Sequence, residues 1–84
     1  MDRAITTRFF AQVCAVTGGD TTMVVDCRSA IAQPLRLTDE ETWDAVDELL
    51  SDGLLESALL SGVHVRLTET GARRCIEHQR RGVD

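Results

Sequence analysis

His64 and His78 are the only histidines and Cys14, Cys27 and Cys75 the only cysteines, so thiolate, imidazole and soft-metal chemistry must come from these side chains. A thiol nucleophile needs a base within hydrogen-bond reach. Only Cys75 and His78 come near each other in sequence, three apart on a predicted helix. That spacing lets both touch one metal ion, yet two ligands fall short of the roughly three or four that proteins give zinc. The cysteines are odd in number, widely spaced and never arranged as C-x-x-C, which signals neither a disulfide framework nor a zinc knuckle. They read as reduced, buried, small hydrophobes. Gly18-Gly19 stands alone and the chain has no Lys, so there is no phosphate-binding P-loop. The expectation is a protein that is not an enzyme, with no catalytic residue, no cofactor and no metal.

The size of the chain agrees. Its 84 residues suffice for one core and one domain, 1–84, with little room for an enclosed active site. Hydrophobic residues make up 43% and charged residues 27%, a balance that can bury a core. The net charge of −5 argues against generic attraction to nucleic acid or an anionic membrane. No run approaches the ~20 apolar residues that cross a bilayer, and the first residues do not resemble a signal peptide. A cytoplasmic location is expected by default.

The positioning elements follow from periodicity. Ile5, Phe9, Val13 and Val16 share one face of a helix over 2–16, which Gly18-Gly19 should stop. Thr21 to Val25 is rich in β-branched residues and suits a short strand, with Asp26 capping a helix from Cys27 to Gln33; the helix could instead begin at Thr22. Pro34 should end or kink that helix. Thr38 and Glu41 form a capping box for a third helix, Asp39 to Ser51, ended by Asp52-Gly53. Leu54 to Glu56 and Val63 to Leu67 then read as strands of a hairpin turning at Ser61-Gly62, with Leu60 opposite Val63 and Leu59 opposite His64. A last helix begins near Glu69, with Ala72, Cys75, Ile76 and Gln79 on one face, and frays by Gly82.

Helix, strand, helix, helix, hairpin, helix is the order of a winged helix-turn-helix domain, and particular residues carry the likeness. Ile31 to Thr38 resembles the second helix and turn of small bacterial winged-helix transcriptional regulators. Leu49-Leu50-Ser51-Asp52-Gly53-Leu54-Leu55-Glu56 resembles the end of the recognition helix and the first wing strand, and Val65-Arg66-Leu67-Thr68-Glu69-Thr70-Gly71 the second strand running into the next helix. The chain departs from the pattern at Pro34, where such helices usually continue. The resemblance implies an α+β fold: a three-helix core, a short strand with a hairpin wing, and a C-terminal helix. It also implies that the helix from Asp39 to Ser51 holds the position that enters the major groove in DNA-binding members.

The residues on that helix do not suit the task. Thr42, Ala45, Val46, Leu49 and Leu50 fall on the core arc with Trp43 at its edge, while Glu40, Glu41, Asp44, Asp47 and Glu48 form the opposite arc. Duplex binding draws its affinity from cations that displace condensed counterions, and this arc has none. The hairpin tip adds Leu59 and Leu60 without a basic residue. Glu40, Glu41, Trp43, Asp44, Asp47, Glu48, Leu59 and His64 are therefore the candidate surface for a protein partner, with Trp43 as its anchor. Set against this, the more ordinary readings are Trp43 as plain core edge and the acidic run as a solvated face. Arg66, Arg73, Arg74, Arg80 and Arg81 are candidates for an oligomer or nucleic-acid contact, including one with the acidic helix of a second copy. The expected function is a regulatory binding module working through protein contacts or a homodimer, with no membrane. The alternatives are a dimeric DNA-binding regulator and a domain whose carboxylates stand in for DNA phosphates.

Overall fold

The computed structural model describes residues 3–59 and 63–82, the side chains of 79–82 excepted. Helix α1, Arg3–Thr17, buries Thr6, Phe9, Phe10, Val13, Cys14 and Thr17. The buried face is wider than the expected stripe, and Val16 lies outside it, 38% exposed. The cause is tertiary: α1 meets the Cys27–Ala32 segment, helix α3 (Asp39–Ser51) and helix α4 (Glu69–Gly82), so the adjoining positions Phe10 and Cys14 are covered as well. After Thr17 the Gly18 amide donates to the Cys14 carbonyl at 2.8 Å and the chain turns.

The expected strand from Thr21 shrinks to β1, Val25–Asp26. Asp20 explains the loss, because its carboxylate accepts from both the amide and the hydroxyl of Thr22, which holds 20–22 in a turn. Asp26 caps the next helical segment as expected, accepting from the amides of Arg28 and Ser29. That segment, Cys27–Ala32, is π-helical: the Gln33 amide donates to the Arg28 carbonyl, five residues back. A short α2, Gln33–Leu35, follows and closes at Arg36, whose φ is +57°. Pro34 thus does not end the helix at Gln33. The π winding moves the amide-to-carbonyl pairing to five-residue steps, and the donor that Pro34 lacks falls at the seam between the two windings.

α3 occupies the expected range, and both halves of the Thr38–Glu41 capping box are formed. Its far end is a Schellman closure. The Leu54 amide donates to the Leu49 carbonyl at 3.0 Å and the Gly53 amide to the Leu50 carbonyl at 3.1 Å, with Gly53 at φ +74°. Leu49 and Leu54, the apolar pair that accompanies such a closure, are both buried in the core.

Strands β2, Leu55–Ser57, and β3, His64–Leu67, complete a three-stranded antiparallel sheet in the order β1-β3-β2. Val25, Leu55, Val65 and Leu67 turn inward against Phe9, Val13 and Ile31. Asp26, Glu56, His64 and Arg66 lie on the other face, where Asp26 is opposite His64 and Glu56 opposite Arg66. The Ala58 amide donates to the His64 carbonyl, so Ala58, and not Leu59, stands opposite His64. The hairpin is one step out of the expected register. The expected turn at Ser61-Gly62 and the position of Leu60 lie outside the described residues.

Thr68 links the sheet to α4. Its hydroxyl donates to the Gly53 carbonyl and accepts from the Gly71 amide. A Cβ at Gly71 would run into the Leu54 carbonyl, so the absent side chain is what lets the first turn of α4 sit on the α3–β2 junction. Whole, the architecture is α+β, with helices on one face of a small antiparallel sheet.

Candidate functional site

Cys14 and Cys75 are joined in a disulfide, with Cα atoms 5.4 Å apart and a sequence separation of 61. This corrects the expectation of three reduced thiols. A pairing across that separation leaves no local spacing signal; it arises because α1 and α4 lie side by side. No helix among the described residues is long and apolar enough to cross a membrane. Cys27 is the free cysteine, fully buried, and burial followed by the nearby Asp26 charge pushes its thiol up to about 11.

The disulfide also disposes of the Cys75–His78 metal pair, since the Cys75 sulfur is already bonded. Among the described residues no three His, Cys, Asp or Glu side chains gather into a metal-binding group. A cleft of about 250 Å³ lies between α1, the end of α3 and α4, with Phe10, Leu49 and Leu54 as its apolar part and Arg3, Arg74 and His78 among its polar lining.

The acidic arc of α3 divides. Glu40, Asp44 and Asp47 are exposed, as expected. Glu41 is turned back into the capping box, accepting from the Thr38 amide at 2.9 Å. Glu48 faces α1, where it accepts from Arg3 at 2.7 Å and from the buried Thr6 hydroxyl at 2.9 Å. Glu41 and Glu48 therefore serve the fold, and placing them on the free surface was an error. One is the N3 position of a cap; the other sits where α3 crosses α1, which a helical wheel does not reveal.

Trp43 is partly buried against the core. The Arg28 guanidinium lies over its ring at 5.9 Å and approaches Asp39 at 3.8 Å. The indole is thus a core edge with a cation on one side, and Arg28 joins the site from the Cys27–Ala32 segment. The sheet continues this surface. Arg66 donates to Glu56 at 2.8 Å across the β2–β3 pair, and His64 Nε2 lies 3.8 Å from Asp26. Backbone donation from Ser29 and then Arg28, with His64 nearby, holds the Asp26 carboxyl below its ordinary value. His64 Nδ1 is buried without a hydrogen-bond partner among the described residues. Leu59 is 67% exposed with φ +58°, an apolar residue two positions beyond β2.

The basic candidates scatter. Arg66 is committed to Glu56 and stands on the sheet, whereas Arg73 and Arg74 are exposed on α4 and Arg74 approaches Glu77 at 3.9 Å. The side chains of Arg80 and Arg81 lie outside the described residues. Of the face expected to hold Ala72, Cys75, Ile76 and Gln79, Cys75 is buried and Ile76 is 50% exposed, because the helix turns Gly71 and Cys75 inward.

Compared with models of known protein families, with curated proteins and with solved structures, the chain matches none of them.

Proposed function

We propose that the chain is a small winged-helix binding module that works through protein contacts, using the outer face of α3 and the adjoining wing. The element order and the α+β layout, with α3 just before a hairpin, support the winged-helix part of this reading. The protein-contact part rests on one observation. The arginines that reach α3, Arg3 and Arg28, pair with Glu48 and Asp39, while Glu40, Asp44 and Asp47 are exposed with no ion pair among the described residues. A duplex would meet carboxylates where it needs donors. A basic protein surface would meet complementary charge, with Trp43 and Leu59 as apolar contacts beside it.

The test is a titration of the protein against mixed-sequence duplex DNA at low and moderate salt, beside capture of partners by wild type, Asp44→Arg and Arg73→Glu. The expected results are no duplex binding at low salt and partner capture lost in Asp44→Arg but kept in Arg73→Glu. Duplex binding that weakens steeply with salt would overturn the reading in favour of a DNA-binding regulator. Capture lost in Arg73→Glu and kept in Asp44→Arg would move the contact to α4.

A further inference from the structure

Through His78, helix α4 is held by its first turn, by the buried Gly71 and Cys75, and by one covalent bond. Of its side chains through His78, only Cys75 is a buried hydrophobic residue; Glu69, Thr70, Arg73, Arg74, Ile76, Glu77 and His78 are all exposed. The first turn is tied by Thr68 to the Gly53 and Leu54 carbonyls. Beyond that turn the helix borders the cleft of about 250 Å³, with Arg74, Glu77 and His78 on its side and Phe10, Leu49 and Leu54 opposite. A segment of 14 residues is close to the length at which an isolated helix is marginal in water. An apolar face would normally supply the rest of the stability, and through His78 the covered positions of this helix are only Gly71, Cys75 and the partly buried Ala72.

We propose that the Cys14–Cys75 disulfide is a redox latch: oxidised, it clamps α4 on α1, and reduced, it lets α4 detach beyond its first turn while α1 to β3 stay folded. The reaction is ordinary thiol–disulfide exchange with a dithiol reductant. One thiolate of the reductant attacks a cysteine sulfur, the S–S bond breaks, and the other cysteine leaves as a thiolate that takes up a proton. The second thiol of the reductant then displaces the first cysteine, so two protein thiols form and the dithiol becomes a cyclic disulfide. Detachment strips Phe10, Leu49 and Leu54 of their α4 neighbours and widens the cleft over these apolar side chains. Cys14 and Cys75 are as buried as Cys27, so the reductant reaches a sulfur only when α4 opens, and Cys27 takes no part because it is bonded to no second sulfur.

Two measurements on the whole chain test the latch. Intact mass under non-reducing conditions, after blocking of free thiols, should show one thiol, at Cys27. Amide hydrogen exchange is then followed with and without dithiothreitol, complete reduction being checked by mass. Reduction should speed exchange in residues 73–80 at least tenfold and leave α3 and β3 within twofold. Cys14→Ser should show the fast pattern without reductant, and Cys27→Ser should keep the wild-type response. Three free thiols in the air-oxidised protein would overturn the proposal. So would an α4 that stays protected after complete reduction, or a chain whose elements all lose protection together.

Discussion

At the scale of single residues, burial and hydrogen bonding separate groups of the same chemical type. Cys27 and Cys75 are equally buried, yet one remains a thiol and the other is a bridge, because only Cys75 meets another sulfur. With its thiol pushed up to about 11, Cys27 has a thiolate fraction of about one in a thousand at pH 8. Iodoacetamide should therefore label it slowly in the native protein and rapidly in urea, with the difference read by mass; equal rates would place Cys27 at the surface. Asp26 is a residue whose charge contributes to the fold. Its folded carboxyl is held below the ordinary value by the Ser29 and Arg28 amides, so it contributes stability above the unfolded value that is lost as pH falls through the folded one. Denaturant midpoints of wild type and Asp26→Asn should differ most near pH 6 and converge toward pH 2. A pH-independent difference would mean that the charge contributes nothing.

At the scale of elements, the ends of helices carry more of the specificity than their middles. The Thr38 hydroxyl and the Glu41 carboxylate satisfy reciprocal amides at the start of α3. Thr38→Ala should cost about 1 kcal/mol in chemical denaturation, the usual worth of such a cap. The other end of α3 and the start of α4 share one device, in which Thr68 spans Gly53 and Gly71 while Gly71 sits against the Leu54 carbonyl. Gly71→Ala should cost roughly 3 kcal/mol, the upper part of the usual range for overpacking, because backbone and not a flexible side chain opposes the new methyl. A loss below about 0.5 kcal/mol would show that α4 can shift to accept it.

At the scale of the whole molecule, one covalent link joins the first and last helices. Closing a loop across 61 positions stabilises the folded chain by about 4 kcal/mol in the chain-entropy account. Urea unfolding followed at Trp43 should therefore show a lower midpoint for the reduced protein than for the oxidised one. Coincident midpoints would mean that the bond constrains the native and unfolded chains alike. Charge acts at this scale too: α3 presents Glu40, Asp44 and Asp47 while Arg73 and Arg74 stand exposed on α4, so the excess of acid is unevenly distributed.

The elements of this protein are legible in its sequence wherever the signal is local. The α3 range, its capping box, the Asp52-Gly53 stop, the Asp26 cap and the start of α4 at Glu69 depend on groups within a few residues of one another, and all appear where periodicity and capping place them. Of the candidate surface, Glu40, Asp44, Asp47 and Leu59 are exposed as their positions imply, and the α3 core arc is buried. Contacts between elements are a different matter. That Glu48 bonds Thr6 and Arg3, that Arg28 covers Trp43, that α1 buries Phe10 while Val16 is left out, and that Ala58 stands opposite His64 all depend on how helices cross and strands register. The Cys14–Cys75 bond depends on it most, since a disulfide requires only that two sulfurs meet in space. Local hydrogen bonds and periodicity thus write the elements into the sequence, whereas packing alone decides which side chains those elements bring together.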